Sequence, residues 1–152
     1  MSMDLTVQKF DDHALRTADA LLRSNGGTIA YLQMPVTPGD ASDAGQLGLD
    51  APGFQPLPIA PVVFHRLRAT MNEGQPAKYE LLVSGAAVQA AVGEMQVASA
   101  DLLFQMTAGV AVANELFLIE AVSLSEYLGS VFLYRLLLRE SASGWQMQTP
   151  QQ

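Results

Sequence analysis

The sequence predicts a mainly β protein: a small antiparallel β-barrel or sandwich with an N-terminal helix, a long Pro/Gly loop and one or two short helices. Several short runs of β-type residues alternate with a two-residue period, and short connections join successive pairs of them. A helical pattern occurs near the start of the chain. A long segment rich in proline and glycine separates the first β-type run from the others.

Length and composition limit the classes of protein that the chain can represent. With 152 residues, it is expected to form a single domain over residues 1–152 and to bury about two-thirds of its unfolded surface. The chain has no cysteine, which excludes disulfides and thiolate metal sites. A net charge of −7 with only eight Lys and Arg argues against binding to duplex nucleic acid.

The apolar segments predict neither a membrane span nor a signal peptide. Polar residues interrupt every apolar run before it reaches the roughly 18 residues that a span needs. The first 22 residues contain four aspartates and lack a basic start followed by an apolar stretch. We therefore expect a soluble protein that is made in the cytoplasm and has no membrane partner.

The helical pattern predicts an N-terminal helix over residues 11–25. Asp11 or Asp12 can cap its start, and the Asn25-Gly26-Gly27 sequence is typical of a helix end. Apolar residues recur at helical spacing between these two points. The following residues 28–34 have the composition of a strand.

Residues 35–57 are predicted to form a long loop. They include four prolines, four glycines and three aspartates, without any lysine or arginine. A segment with so little apolar surface is expected to be mobile in the isolated protein, and loops of this length are usually functional or disordered. The spacing of Asp40, Asp43 and Asp50 does not match an EF-hand, so these aspartates are interpreted as solvating charges.

Residues 58–141 are predicted to form the β core, and 142–152 a flexible tail. A strand over 62–70 is expected to form a hairpin with a strand over 78–84, because a turn signal lies between them. Ser84 or Gly85 can cap a short helix over 86–92, which Gly93 ends, and Ser99 with Asp101 can start another helical turn.

Two further strands are predicted over residues 115–123 and 131–139. Between Leu116 and Val122 the first has apolar residues on both faces and only one charge, Glu120, which predicts a nearly buried strand. The second has one wholly apolar face, which is expected to face the core. That face carries Phe132, Tyr134, Leu136 and Leu138.

The polar residues do not have the spacing of a catalytic or metal site. His13 and His65 lie in no zinc-binding pattern, and Ser84-Gly85 lacks the flanking glycines of a nucleophile elbow. The sequence thus predicts a protein that is not an enzyme and holds no cofactor or metal. Two arginine pairs each lie on one face of a predicted strand. Such pairs usually keep that face of the sheet solvated. If the two pairs come together in the fold, they could instead bind an acidic partner. These pairs are Arg66 with Arg68 and Arg135 with Arg139.

One family resemblance supplies a function. The helix, the long Pro/Gly loop and the segments PVVFHRLRATM, KYELLVSGAAVQAAVG and ELFLIEAVSLSEYLGSVFLYRLLLRE resemble the small β-barrel head-completion proteins of tailed bacteriophages, also called stoppers or head–tail connectors. The resemblance covers about residues 11–141 and rests on hydrophobic patterns. It implies a virion neck protein without catalytic residues.

The resemblance also implies partners. Subunits of this family form a homo-oligomeric ring between the portal or adaptor complex and the tail, and their loops close the DNA channel. Residues 35–57, with Asp40, Asp43 and Asp50, would supply the channel loop. DNA would pass without sequence-specific binding, and the negative charge of the chain suits a wall that does not adhere to phosphate.

Three alternatives remain open from the sequence. One is a tail-completion or adaptor protein of the same neck. Another is a small β-barrel that binds a ligand, although its interior would need polar groups that these strands scarcely supply. A third is a degenerate enzyme domain whose site has no recognisable motif.

Overall fold

The computed structural model describes residues 2–36, 53–67 and 77–141, and within the first helix it describes side chains from His13 onward. These residues form three helices and six strands. The helices are α1 (Ser2–Ser24), α2 (Gly85–Met95) and α3 (Ala100–Met106). The strands are β1 (Thr28–Pro35), β2 (Phe54–Arg66), β3 (Lys78–Ser84), β4 (Gly109–Val112), β5 (Glu115–Tyr127) and β6 (Ser130–Glu140).

The six strands close into one antiparallel barrel in the order β1-β2-β3-β6-β5-β4. The fold class predicted from the sequence is therefore confirmed. The expected hairpin between β2 and β3 is present, with Val62 opposite Val83 and Arg66 opposite Tyr79. Closure depends on β4, which pairs with β1 on one side and with β5 on the other.

The interior of the barrel is filled with apolar side chains. Alternation along β6 places Tyr134, Leu136 and Leu138 inside, as the sequence predicted, whereas Phe132 is only partly buried. Near one end of the barrel, the rings of Phe64, Tyr79 and Phe117 pack together with centroids 4.9 to 5.3 Å apart. The other fully buried interior side chains include Leu32, Met34, Val62, Leu81, Val83 and Val110.

Helix α1 is longer than predicted. It begins at Ser2 and runs through Asp11 and Asp12, so neither aspartate caps its start. No glycine or proline occurs between Ser2 and Ser24, and an interior aspartate lowers helix propensity by less than about 1 kcal/mol. The end of the helix is close to the predicted position, and the amide of Asn25 donates to the carbonyl of Leu21.

Strand β2 begins inside the segment predicted as a loop. It starts at Phe54 and contains Pro56, which lies in the predicted loop, and Pro58 and Pro61, which precede the predicted strand over 62–70. Because β3 pairs with β2 only from Val62 onward, β1 is the one described strand that pairs with the first half of β2. Prolines are tolerated in such an edge strand, where the missing N–H groups need not face a neighbour.

Strand β4 was missed altogether, because no element was predicted between the helical turn that starts at Ser99 and the strand over 115–123. All four of its residues are buried, so it lacks the alternation of polar and apolar side chains that marks a half-buried strand. Its carbonyl and amide groups pair with residues far away in the sequence, such as Leu32 opposite Val110. This long-range pairing with β1, together with a tight hairpin to β5, distinguishes β4 from an irregular segment.

Helices α2 and α3 begin at the serines that the sequence indicated. The hydroxyl of Ser84 accepts a hydrogen bond from the amide of Ala87 (3.1 Å), and the hydroxyl of Ser99 accepts one from the amide of Leu102 (3.2 Å). Helix α2 continues past Gly93 and ends at Gln96, which adopts the left-handed conformation. Both helices pack on the core through side chains that include Val88, Ala91, Leu103 and Phe104.

Ser84 also connects α1 to this junction. Its fully buried hydroxyl donates to the Oδ1 atom of Asp19 on α1 (3.0 Å), and the Oδ2 atom of Asp19 accepts from Arg23 (2.8 Å). One hydroxyl therefore caps α2 and anchors α1. Both interactions require an oxygen on the side chain at position 84.

We expect Ser84→Ala to lower the free energy of unfolding by about 1 to 2 kcal/mol, because it removes an N-cap and leaves Asp19 without a buried donor. Urea denaturation followed by circular dichroism measures this loss. Ser99→Ala is the matched control, since Ser99 caps α3 from an exposed position and contacts no second helix in the hydrogen bonds described. Equal losses in the two variants would contradict a linking role for Ser84.

Candidate interaction surfaces

The hairpin of β5 and β6 extends beyond the barrel. Strand β4 pairs with β5 only from Glu115 to Phe117, so from Leu118 onward one edge of β5 has no neighbour among the described strands. We call residues 120–132 the hairpin arm. Residues 120–129 of the arm are all exposed, so the prediction of a nearly buried strand over 115–123 was wrong beyond Ile119.

A two-residue turn forms the tip of the arm. Leu128 has φ of 51° and Gly129 has φ of 84°, and Tyr127 pairs with Ser130 on either side of them. Two positive φ values are typical of a type I′ turn, in which Asn-Gly is the favoured pair. A leucine in the left-handed conformation costs about 1 to 2 kcal/mol, so the tip carries a large apolar residue at an energetic cost.

The arm exposes several large apolar side chains. Val122 and Leu124 lie opposite Leu136 and Tyr134, on the part of β5 that β4 does not cover. Leu128 at the tip is 53% exposed. The full set of exposed large apolar residues on the arm is Val122, Leu124, Tyr127 and Leu128. Several exposed large apolar side chains on one hairpin are typical of a site of protein contact.

An acidic side chain accompanies this apolar surface. Burial raises the pKa of the Tyr134 hydroxyl, and the nearby negative charges of Asp101 and Glu126 raise it further. Glu126 is exposed and forms no ion pair among the described residues. The arm therefore combines apolar side chains with uncompensated negative charge.

The outer face of β2, β3, β5 and β6 carries a network of charges. Oε1 of Glu80 lies 3.1 Å from Nε2 of His65, and Oε2 of Glu80 lies 3.3 Å from Nε of Arg135. Glu120, at a bulge in β5, contacts Lys78 and lies 3.9 Å from Nε of Arg139. We call these six residues the charged face.

Two of the predicted basic residues belong to the charged face and are already paired there. Arg135 and Arg139 are exposed, but each is paired with a glutamate from a neighbouring strand, so they are not free cations. Arg66 lies at the end of β2 opposite Tyr79. The hydroxyl of Tyr79 donates to Glu140 (2.8 Å), and this hydrogen bond raises the pKa of Tyr79. Arg135 and Arg139 therefore belong to a network of paired charges.

Several predicted residues lie outside the described part of the chain. These are Asp40, Asp43, Asp50 and Arg68, together with the tail 142–152. The sequence did not indicate the exposed arm, because its residues have ordinary strand composition. The one local signal was the Leu128-Gly129 pair, in which a glycine follows directly on a run of β-type residues.

Within residues 2–36, 53–67 and 77–141, no group of three or more His, Asp or Glu side chains is arranged to hold a metal ion. In the same residues, no helix has both the length and the apolar character needed to cross a bilayer. No protein-family model, no curated protein and no solved structure matches the chain.

Proposed function

We propose that this chain is a structural protein of a tailed-phage neck that forms a ring between the portal or adaptor complex and the tail, closes the DNA channel and joins head to tail. The proposal rests on the resemblance of the sequence to head-completion proteins. The observation that carries it is the fold, since that resemblance implies a small β-barrel preceded by a helix, and the chain forms a closed six-stranded barrel with an N-terminal helix.

The filled interior supports a structural role over ligand binding. Leu32, Leu81 and Leu136 are completely buried inside the barrel, and the aromatic cluster around Phe117 occupies the region near one end. A ligand-binding barrel needs an internal cavity with a few convergent polar groups. In a barrel filled in this way, contacts with partners must use the outer surface and the hairpin arm.

The proposed function is tested in particles. Deleting the gene from a phage or prophage that carries it should yield free tails and tailless heads that do not retain their DNA, because the channel stays open and the two halves no longer join. A copy supplied in trans should restore infectious particles, and antibody labelling should place the protein at the neck. Normal titres from the deletion, or absence of the protein from purified particles, would contradict the proposal.

A loop replacement tests the closure of the channel separately. The amide of Val36 donates to the carbonyl of Gly53 (2.9 Å), so these residues form the last described pair of the β1–β2 ladder. Replacing residues 37–52 with Asn-Gly places a two-residue hairpin turn at this pair and should leave folding nearly unchanged. We expect the variant to lose DNA retention or tail joining. Leak-proof, infectious particles would show that the segment does not close the channel.

A further inference from the structure

We infer that the tip of the hairpin arm docks into a groove between α1 and α2 of a second copy of this chain. This inference rests on the proposed function in one respect, since it names the contact by which the ring would form. It is argued from two surfaces of the same molecule that differ in shape and charge.

The arm is the projecting partner. Its tip holds Tyr127 and Leu128 in solvent, and the left-handed conformation of Leu128 would be relieved by an asparagine. Strain at an exposed position is retained where the side chain itself has a role. A large apolar side chain at the end of an arm is stabilised when it is buried in the surface of a partner.

The groove is the receiving partner. It is open to solvent, has a volume of about 590 Å³, and lies between α1, α2 and β2. Five alanines, three of them on α2, line the groove together with Leu15, so its walls are largely apolar and small. Its lining consists of Leu15, Arg16, Asp19, Ala20, Arg23, Ala60, Ala86, Ala87 and Ala90.

The groove and the arm carry opposite charges. Arg16 and Arg23 line the groove, and the one carboxylate there, Asp19, is already engaged by Arg23 and Ser84. Arg16 is exposed and has no ion pair among the described side chains. The groove is therefore net positive, whereas Glu126 gives the arm an unpaired negative charge. Opposite charges beside an apolar contact orient the partners and disfavour other pairings.

The docking geometry also defines the type of assembly. In the ring that the proposed function requires, each copy uses its arm on one neighbour and its groove on the other, whereas two copies that exchanged arms across a two-fold axis would stop at a dimer. Such head-to-tail contacts produce a ring when the rotation between copies closes, and a filament when it does not.

Cysteine pairing tests the contact directly, because the natural chain contains no cysteine. One preparation carries Leu128→Cys and another carries Ala90→Cys, and the two are mixed under mild oxidation at concentrations where light scattering shows self-association. We expect a disulfide-linked dimer in the mixture, little product from either variant alone, and a ladder of multimers from a chain with both changes. Ser123→Cys, on the opposite face of the arm beside Arg135, is the control and should not link to Ala90→Cys.

The contrary outcomes are distinct. Self-linking of Leu128→Cys would mean that two arms meet across a two-fold axis, and equal linking by Ser123→Cys would mean that the contact is not specific. Either result overturns the inference, as does a protein that stays monomeric up to the highest soluble concentration. The particle experiment above is independent of all three outcomes, so the proposed function can stand when the docking contact fails.

Substitutions that reverse a charge or relieve the backbone strain at Leu128 test the contact through self-association. Self-association would not change if these residues only stabilised the fold. Glu126→Arg should weaken self-association on the order of tenfold, and adding Arg16→Glu in the same chain should restore it. Leu128→Asn should raise the midpoint of urea denaturation while weakening self-association. Unchanged association in Leu128→Asn, or no restoration in the charge-reversed pair, would contradict docking of the arm in the groove.

Discussion

Leu136→Asp is expected to abolish the folded barrel. Leu136 is completely buried on β6, opposite Leu81 of β3 and Val122 of β5, so the carboxylate would have no access to water. Burying an unpaired carboxylate costs several kcal/mol, and the total stability of a domain is only about 5 to 15 kcal/mol. Soluble yield and the near-ultraviolet circular dichroism of any soluble fraction measure the effect.

Two variants on the same strand make this prediction specific. Phe132→Asp should be less damaging than Leu136→Asp, because Phe132 lies at the base of the hairpin arm and is only partly buried. Arg135→Ala should cost at most about 1 kcal/mol, since its ion pair with Glu80 lies on the outer face and its side chain is 56% exposed. Equal loss of soluble protein in all three variants would contradict the assignment of the inner and outer faces of β6.

Local signals in the sequence were sufficient for the elements that carry them. Alternation identified β3 and the inner face of β6, because both strands have neighbours on each side and their inward residues are apolar throughout. Ser84 and Ser99 located the starts of α2 and α3, because a capping hydroxyl acts on amides only two or three residues away.

Long-range pairing accounts for the elements that the sequence did not reveal. The first half of β2 tolerates prolines because, among the described strands, it pairs only with β1. Residues 109–112 form a strand because they pair with β1 on one side and with β5 on the other. The exposure of β5 follows from the shortness of β4. Apart from the short turn between β4 and β5, these facts depend on residues far along the chain, so neither propensity nor periodicity contains them.

The same limit applies to the candidate surfaces. Arg135 and Arg139 were correctly expected to be exposed, but their acidic partners, Glu80 and Glu120, come from other strands. Only the register between strands brings these charges together. The groove between α1 and α2 likewise depends on packing between segments more than sixty residues apart, as the contact between Asp19 and Ser84 illustrates.

Gly85→Ala is the second substitution for which we expect a large effect. A Cβ atom at this position would overlap the carbonyl oxygen of Val131 and would lie 3.0 Å from Cα of Phe132 and 2.9 Å from Cδ2 of Leu15. Two of these neighbours are backbone atoms of β6, which cannot move without disturbing the pairing of β6 with β3 and β5. Overpacking of this kind typically costs about 1 to 3 kcal/mol, and a backbone neighbour places the expected loss at the upper end.

Gly93→Ala is the matched control for Gly85→Ala, because it makes the same change in the same helix. No heavy atom lies within 4 Å of a Cβ built at Gly93, so the substitution meets open space. Replacing a helical glycine with alanine should therefore raise the free energy of unfolding, by up to about 1 kcal/mol. Urea denaturation of the two variants should give changes of opposite sign. A stabilising Gly85→Ala would mean that the start of α2 does not press against β6, and the position of the hairpin arm relative to α1 would then have to be revised.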